Sequence, residues 1–211
     1  MTGTQVRGGK GLSMRSRSVL RSASLVCAVL LTFVGCAGED KSEIKADEVC
    51  PSLGSSSNAA EALRKVLPEE SSYSFEDDVK PRAAVTDTVY EPSCFVSGSG
   101  KQLLVAKSLL MRDESAASWT RWVKGTAANN ASVASLTPFT DDKKAVASSR
   151  FAAIFMPCTS AGKVPGGQYN VSVSVELKQA GSTSDTAARD ELIKLVKHAA
   201  SYSHGKAKCD M

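Results

Sequence analysis

Four cysteines are spread over the body of this 211-residue chain, and they constrain its fold more than any other feature. Their positions are Cys50, Cys94, Cys158 and Cys209, at intervals of about 44, 64 and 51 residues. An even number of widely spaced cysteines in an exported chain indicates two disulfides, for which three connectivities exist. Zinc sites and thioredoxin-like redox sites use close pairs such as CxxC, which this sequence lacks. The cysteines therefore predict a body closed by two cross-links, if the chain is exported.

The first 36 residues have the pattern of a bacterial export leader. Three arginines precede an uncharged segment over 22–35, and Cys36 directly follows the small residue Gly35. A basic start, a short apolar run and a small residue before the cut define a signal peptide. A cysteine at this place is typical of a lipoprotein signal, in which it is acylated and becomes the mature N-terminus. We therefore predict a signal peptide over 1–35 and lipidation of Cys36.

Other fates of the leader stay open. Its apolar run is about a dozen residues, shorter than the roughly 18 to 20 that span a bilayer, so an uncleaved anchor is less favoured. Phe33 stands where lipoprotein signals prefer Leu, Val or Ile, and the small residues on both sides of Cys36 also permit ordinary cleavage after Ala37. Such cleavage would remove Cys36 and give a soluble secreted form. The start is either Met1 or Met14.

The charge balance argues against one class of partner. The chain has 26 basic and 22 acidic residues, and five of the basic ones lie in residues 1–35, which contain no acid. Without the leader the net charge is about −1, and so weak a field gives no basis for binding nucleic acid. We expect no nucleic-acid partner, and attachment to the membrane only through the N-terminal lipid.

Beyond the leader, the composition predicts a tether and one domain. Residues 36–49 are charged and small, which is typical of a flexible segment between the lipid and the body. Residues 50–211 are long enough for a single extracytoplasmic domain with a real core.

The periodicity of apolar residues predicts an α+β domain. Helices are predicted over 57–67, 114–124 and 186–203, the second with Asp113 as its cap and Gly125 as its stop. Extended segments are predicted over 83–90, 93–97, 102–111, 145–156 and 169–178, with loops over 69–82 and 126–142 and turns at 98–100 and 163–167. Over 169–178 every second residue is apolar, which indicates an antiparallel sheet with one buried and one wet face. The expected order is α-β-β-α-β-β-α, with the helices packed on one face of the sheet.

This layout favours one disulfide pairing. The predicted strand that reaches Cys158 is followed by a return strand of about 10 residues, roughly 33 Å long. The last helix, about 27 Å long, then runs back toward Cys158 and ends near Cys209. We therefore predict the pairs Cys158–Cys209 and Cys50–Cys94.

Three motifs that could carry chemistry have ordinary structural explanations. The segment GSGK at 98–101 lacks the Ser or Thr of a phosphate loop and precedes a strand, so it predicts a hairpin turn. Two SxxK matches, at 160–163 and 203–206, come without the companion KTG motif of penicillin-binding proteins. His198 and His204 are flanked by no nucleophile elbow and no HExxH pattern, so surface positions are expected for both. The sequence predicts no cofactor and no metal site.

Two tryptophans are the candidate ligand site. Trp119 and Trp122 are three residues apart, so they share one side of the second predicted helix. Packing against the sheet is the ordinary outcome for such a pair. Exposed aromatic pairs instead bind sugars, cations or protein partners, which makes this pair the possible ligand-binding residues of the chain.

Four segments of the body carry a family resemblance. They are Cys50 before AAEAL at 59–63, CFVS at 94–97, FMPC at 155–158 and AARDEL at 187–192. In these segments, and over most of 50–211, the chain resembles uncharacterised exported lipoproteins of high-GC Gram-positive (actinobacterial) bacteria. The shared motifs are structural and the family has no assigned activity. The resemblance therefore implies a fold, disulfides and an address in the cell envelope.

The sequence thus favours a membrane-anchored extracytoplasmic lipoprotein with a non-catalytic domain that binds a small ligand or an envelope protein. The alternative is a cell-envelope hydrolase or transferase that uses His198 or His204. That alternative requires one of these histidines in a cleft beside a carboxylate or a serine.

Overall fold

The structure, a computed structural model, describes residues 42–128, 136–142, 144–164 and 167–210. The predicted leader, Cys36 and the first part of the predicted tether lie outside the described residues. The described residues belong to one compact unit. No helix among them is both long enough and apolar enough to cross a membrane.

The described part of the chain contains three α-helices and seven strands. The helices are α1 (Ser56–Val66), α2 (Ala116–Ala128) and α3 (Asp185–Lys206), and a 3-10 turn at Pro51–Leu53 precedes α1. The strands are β1 (Tyr73–Asp78), β2 (Ser93–Gly98), β3 (Lys101–Arg112), β4 (Thr137–Pro138), β5 (Ala145–Ala147), β6 (Phe151–Val164) and β7 (Gly167–Leu177). They form one sheet in the order β1-β2-β3-β7-β6-β5-β4, in which every neighbouring pair is antiparallel. The predicted α+β class is confirmed, with more strands than the predicted order contains.

One face of the sheet is covered by α1 and α3. The apolar positions of β7, from Val171 to Leu177, are fully buried in one cluster with Leu192 and Leu195 of α3. Ser184 caps α3 because its hydroxyl accepts a hydrogen bond from the Ala187 amide. Gly54 permits close approach here: it has φ +88°, and a Cβ at this position would lie 2.6 Å from the His198 carbonyl oxygen. We call this side the covered face.

The helix α2 packs on the opposite side of the sheet, which corrects the prediction that all helices share one face. Residues of β6 alternate between the two sides, so Phe151 and Phe155 point away from α3. Trp119 and Val123 of α2 join them in a second buried cluster. Asn170 and Ser172 of β7, predicted to be wet, are buried beneath this helix. We call this side the second face.

Both predicted disulfides are present. Cys50–Cys94 joins the residue before the 3-10 turn to β2, and Cys158–Cys209 joins β6 to the residues after α3. They close loops of 44 and 51 residues, which in the chain-entropy model stabilises the fold by about 4 kcal/mol each.

The predictions for one loop and two extended segments differ from the structure. The acidic segment 69–82 contains β1, an edge strand whose register is fixed by Phe75 opposite Val96. The segment 83–90, predicted to be extended, forms no strand. The predicted strand over 145–156 is two strands, because the chain turns back after Ala147 and β6 then continues to Val164. Pro157 is tolerated in β6 because a register irregularity follows it.

The helix α2 also differs at both ends from its prediction. Ser115, and not Asp113, caps it, since the Ser115 hydroxyl accepts the Ser118 amide at 3.1 Å. The Asp113 carboxylate instead accepts the Gln168 amide at 2.8 Å and fixes the start of β7. Gly125 does not end the helix, which continues to Ala128. The predicted turn at 98–100 is confirmed: Ser99 and Gly100 both have positive φ, as a two-residue hairpin turn requires.

The predicted tether ends earlier than Val49. Ile44 and Val49 are buried in the main core, with 1% and 4% of their surfaces exposed. The Arg64 guanidinium donates to the Ile44 carbonyl at 2.6 Å, and the Ser42 amide donates to the Glu70 carbonyl. Two apolar side chains in an otherwise charged segment are enough to dock it, because each contributes about 1.5–3 kcal/mol when buried.

A buried arginine holds the segment 79–92 in place. Arg82 is 1% exposed, and its guanidinium donates to the carbonyls of Asp87, Val85 and Ala207. Because Ala207 is the C-cap of α3, the cation lies at the negative end of that helix. Burial lowers the pKa of Arg82 from its ordinary value, without removing its charge at neutral pH.

Candidate functional site

The candidate site is a groove on the second face, beside α2. The helix lies over β6 and β7 and leaves β1, β2 and β3 without a covering helix among the described residues. The groove has a volume of about 520 Å³. Side chains of α2 form one wall, and the outward side chains of β2, β3 and β7 form the floor. Its size falls in the range of small-molecule sites, about 300–1,000 Å³.

The two tryptophans of α2 have different roles. Trp119 is fully buried, stacks on Phe155 with ring centroids 5.3 Å apart, and donates from Nε1 to the Ser172 hydroxyl at 2.8 Å. Trp122 is 47% exposed and lines the groove together with Val123. The structure therefore separates the predicted pair: Trp119 belongs to the core, and Trp122 is available to a ligand.

The strand register arranges the floor of the groove in rows. In one row Phe95 of β2, Val105 of β3 and Glu176 of β7 lie side by side, and Phe151 of β6 follows. The next row contains Ser93, Lys107 and Ser174 from the same three strands. Residues in one row of an antiparallel sheet point to the same face, so their side chains are neighbours. The floor therefore has a mainly apolar row, interrupted by Glu176, beside a polar row.

Charges at the groove are balanced. Its lining contains three acidic and three basic side chains, namely Asp78, Glu91, Glu176, Lys80, Lys107 and Lys178. Glu176 and Lys178 form an ion pair at 2.7 Å, so they neutralise each other. Asp78 lies at the end of the edge strand β1, and Glu91 lies just before β2, one row away from Lys107. Lys107 lies at the centre of the floor, on β3.

The histidines lie elsewhere. His198 and His204 are both on α3, which packs on the covered face, and neither lines the groove. The Nε2 atom of His198 is 3.4 Å from the side-chain amide of Asn58. The structure therefore does not bring either histidine to the candidate site.

The serine–lysine motifs are structural where the structure describes them. Ser203 is fully buried, and its hydroxyl lies 2.7 Å from that of Ser108. Lys163 forms an ion pair with Asp210 at 2.6 Å, and the Ser160 amide donates to the same carboxylate. Among the described residues, no group of three His, Cys, Asp or Glu side chains is placed to hold a metal ion.

A second cavity of about 340 Å³ lies at the start of α2, lined by Asp113, Lys144 and Asn170 among others. Its polar groups are engaged in holding strand ends: Asp113 binds the Gln168 amide, and Asn170 donates to the Glu114 carbonyl. This cavity is therefore explained by the connection between β3, α2 and β7.

Sequence reasoning missed the floor of the groove. The outward residues of β7 were interpreted only as a solvent-exposed face, and Lys107 and Ser108 were the two polar residues inside an otherwise apolar stretch of β3. The available signal was that Val105 and Leu109 alternate with inward residues of β3, which makes that strand apolar on both faces. The apolar side chains on both faces of such a strand are shielded from water either by other parts of the protein or, on one face, by a ligand.

The chain matches no family model, no curated protein and no solved structure in the comparisons with known proteins. Function is therefore argued from the chemistry of the groove.

Proposed function

We propose that the chain is a lipoprotein of the extracytoplasmic surface whose domain binds a small ligand in the groove without catalysing a reaction on it. The export address is supported by the leader pattern and by the resemblance to exported lipoproteins of high-GC Gram-positive bacteria. Two disulfides are consistent with an oxidising compartment. Lipid on Cys36 holds the domain at the membrane.

The observation that carries the binding proposal is the exposure of Trp122 at the wall of the groove. A large aromatic side chain that is 47% exposed leaves apolar surface in contact with water. Phe95, Val105 and Leu109 line the same groove, so apolar side chains lie on both sides of the polar row. A ligand that covers these side chains gains the hydrophobic free energy of that area, about 25 cal/mol per Å². Neutral apolar rings are the simplest ligands of this kind.

The test uses a neutral fluorescent probe, phenylnaphthylamine, with the oxidised domain. We expect saturable binding, and we expect W122A to weaken it by about tenfold, since the ring supplies one wall of the groove. The matched control is V89A, because Val89 is the other large apolar side chain exposed among the described residues and lies outside the lining. Absence of binding to the native protein, or equal binding by W122A, would refute the proposal.

The address is tested separately. The intact mass of the protein from native membranes should show a diacyl or triacyl increment on Cys36, and the protein should gain about 4 Da on reduction of two disulfides. The variant C36A should lose the lipid and leave the membrane fraction. A mature mass that begins at Gly38 without lipid would instead indicate free secretion.

A further inference from the structure

The polar row on the floor of the groove presents three side chains whose donors are free to bind a ligand. Ser93, Lys107 and Ser174 lie side by side on β2, β3 and β7, with strands about 4.8 Å apart. Within the described part of the chain, none of the three side chains forms a hydrogen bond or an ion pair. Other polar groups nearby are engaged: Lys178 pairs with Glu176, and Ser172 accepts from Trp119.

These three groups have the chemistry of an anion site. An ammonium group supplies three donors and a positive charge, and each hydroxyl supplies one more donor. Hydrogen bonds from such donors to a carboxylate, sulfonate or phosphate oxygen are about twice as strong as neutral ones. The acid in the same row, Asp78, lies on β1 and is separated from Lys107 by the whole of β2. Lys107 is therefore the cation at the centre of this row. Two acids lie in the adjacent rows: Glu176, which is paired with Lys178, and Glu91.

Apolar side chains flank this row on both sides. Phe95 and Val105 occupy the adjacent row, and Leu109 lies on β3 two residues beyond Lys107. Trp122 stands over the same floor from α2. A ligand that fills the groove thus meets an apolar surface in most of its contacts and positive donors at one place.

We propose that the groove selects a small amphiphile with an apolar ring or short chain and one anionic group, which is bound by Lys107 between Ser93 and Ser174. This inference rests on the proposed function, because it names the chemical class of ligand for the same groove. The volume of about 520 Å³ limits the ligand to a few rings or an equivalent chain.

The test compares two dyes that share one ring system, anilinonaphthalenesulfonate and the neutral phenylnaphthylamine. The native domain should bind the sulfonate about tenfold more tightly than the neutral dye, because the sulfonate forms one additional charge-assisted hydrogen bond. K107Q should abolish this preference and leave the affinity for the neutral dye unchanged. K107R should retain the preference, since it keeps the charge. The matched control is K124Q, which removes an exposed lysine of α2 outside the lining.

The outcomes separate the two proposals. Equal affinity of the native domain for both dyes, together with weakening of both by W122A, would overturn the anion site and leave the groove as the ligand site. Equal weakening of both dyes by K107Q would also overturn it, because Lys107 would then act only on the shape of the floor. Failure of both dyes to bind would refute the proposed function itself. S174A serves as a second variant and should reduce the preference for the sulfonate about threefold.

Discussion

The two faces of the sheet differ in how completely they are covered. On the covered face, α1, α3 and the docked segment from Ile44 to Leu53 lie over the strands, and the β7 residues that face them are fully buried. On the second face, α2 is the one helix in the described part of the chain; it buries Phe151 and Phe155 but leaves Trp122 and Lys107 open to water. One sheet therefore serves as a core on one side and as a binding surface on the other.

The difference follows from dimensions. Seven strands at about 4.8 Å span roughly 30 Å, whereas one helix with its side chains is about 10 Å wide and covers about two strands. The covered face has two helices and an extended segment, which is close to what this width requires. Among the described residues the second face has one helix, which leaves a strip of the sheet beside it uncovered. The groove is that strip.

The largest loss of stability is expected when a buried side chain of the covered face is truncated. Leu195 of α3 is fully buried, so L195A should lower the free energy of unfolding by about 3 kcal/mol. Leu109 lines the groove and is only partly buried, so L109A should cost less than about 1 kcal/mol. Urea unfolding of the oxidised proteins measures both. Equal losses would show that the second face is as well packed as the first.

The next effect concerns the buried cation near the end of α3. R82M leaves the carbonyls of Asp87 and Ala207 without their donor, and it should lower the free energy of unfolding by about 3 kcal/mol. Arg112 is an exposed arginine at the end of β3, so R112M is the matched control and should change stability by less than about 0.5 kcal/mol. Thermal unfolding of the two variants provides the measurement. If R82M were as stable as the native protein, the segment 79–92 would not depend on the hydrogen bonds of Arg82.

A smaller effect should separate the two tryptophans. W119F removes the hydrogen bond from Nε1 to Ser172 and part of the stacking on Phe155, so stability should fall by about 1–2 kcal/mol. W122F should change it by less than about 0.5 kcal/mol. Each variant leaves one tryptophan, and the emission of W119F should be quenched by iodide while that of W122F is protected. The reverse pattern would contradict the assignment of Trp122 to the groove.

The last effect is confined to high pH. Burial raises the pKa of Tyr90 to about 12, so the folded protein holds this proton more tightly than the unfolded chain, whose tyrosine titrates near 10. The resulting stabilisation is complete below about pH 10 and is lost as the pH rises toward 12. Y90F should therefore show a shallower loss of stability over this window than the native protein. Some loss of stability with rising pH should remain in Y90F, because burial also raises the pKa of Tyr73 and Tyr202. If the stability of Y90F fell as steeply with pH as that of the native protein, groups other than Tyr90 would cause the loss.

Local patterns in the sequence were sufficient for several elements. The alternation over 169–178 predicted β7, the apolar stripe over 186–203 predicted α3, and Ser99-Gly100 predicted the hairpin turn. The disulfide pairing was correct because it needed only the lengths and directions of the last three elements. The predictions of β7, α3 and the hairpin turn depend on residues that are close together in the chain, and the pairing depends on three consecutive elements.

The sequence by itself therefore determined the α+β class, both disulfide pairs and which residues of each element share a side. Only the tertiary structure decided that α2 lies on the second face, that Trp119 is buried and Trp122 exposed, and that Arg82 is inside. It also decided that Ser93, Lys107 and Ser174 form one row, since they come from three strands whose register no local pattern contains. The physical reason is that periodicity identifies an apolar side but not the element that covers it. That choice depends on contacts between residues far apart in the chain.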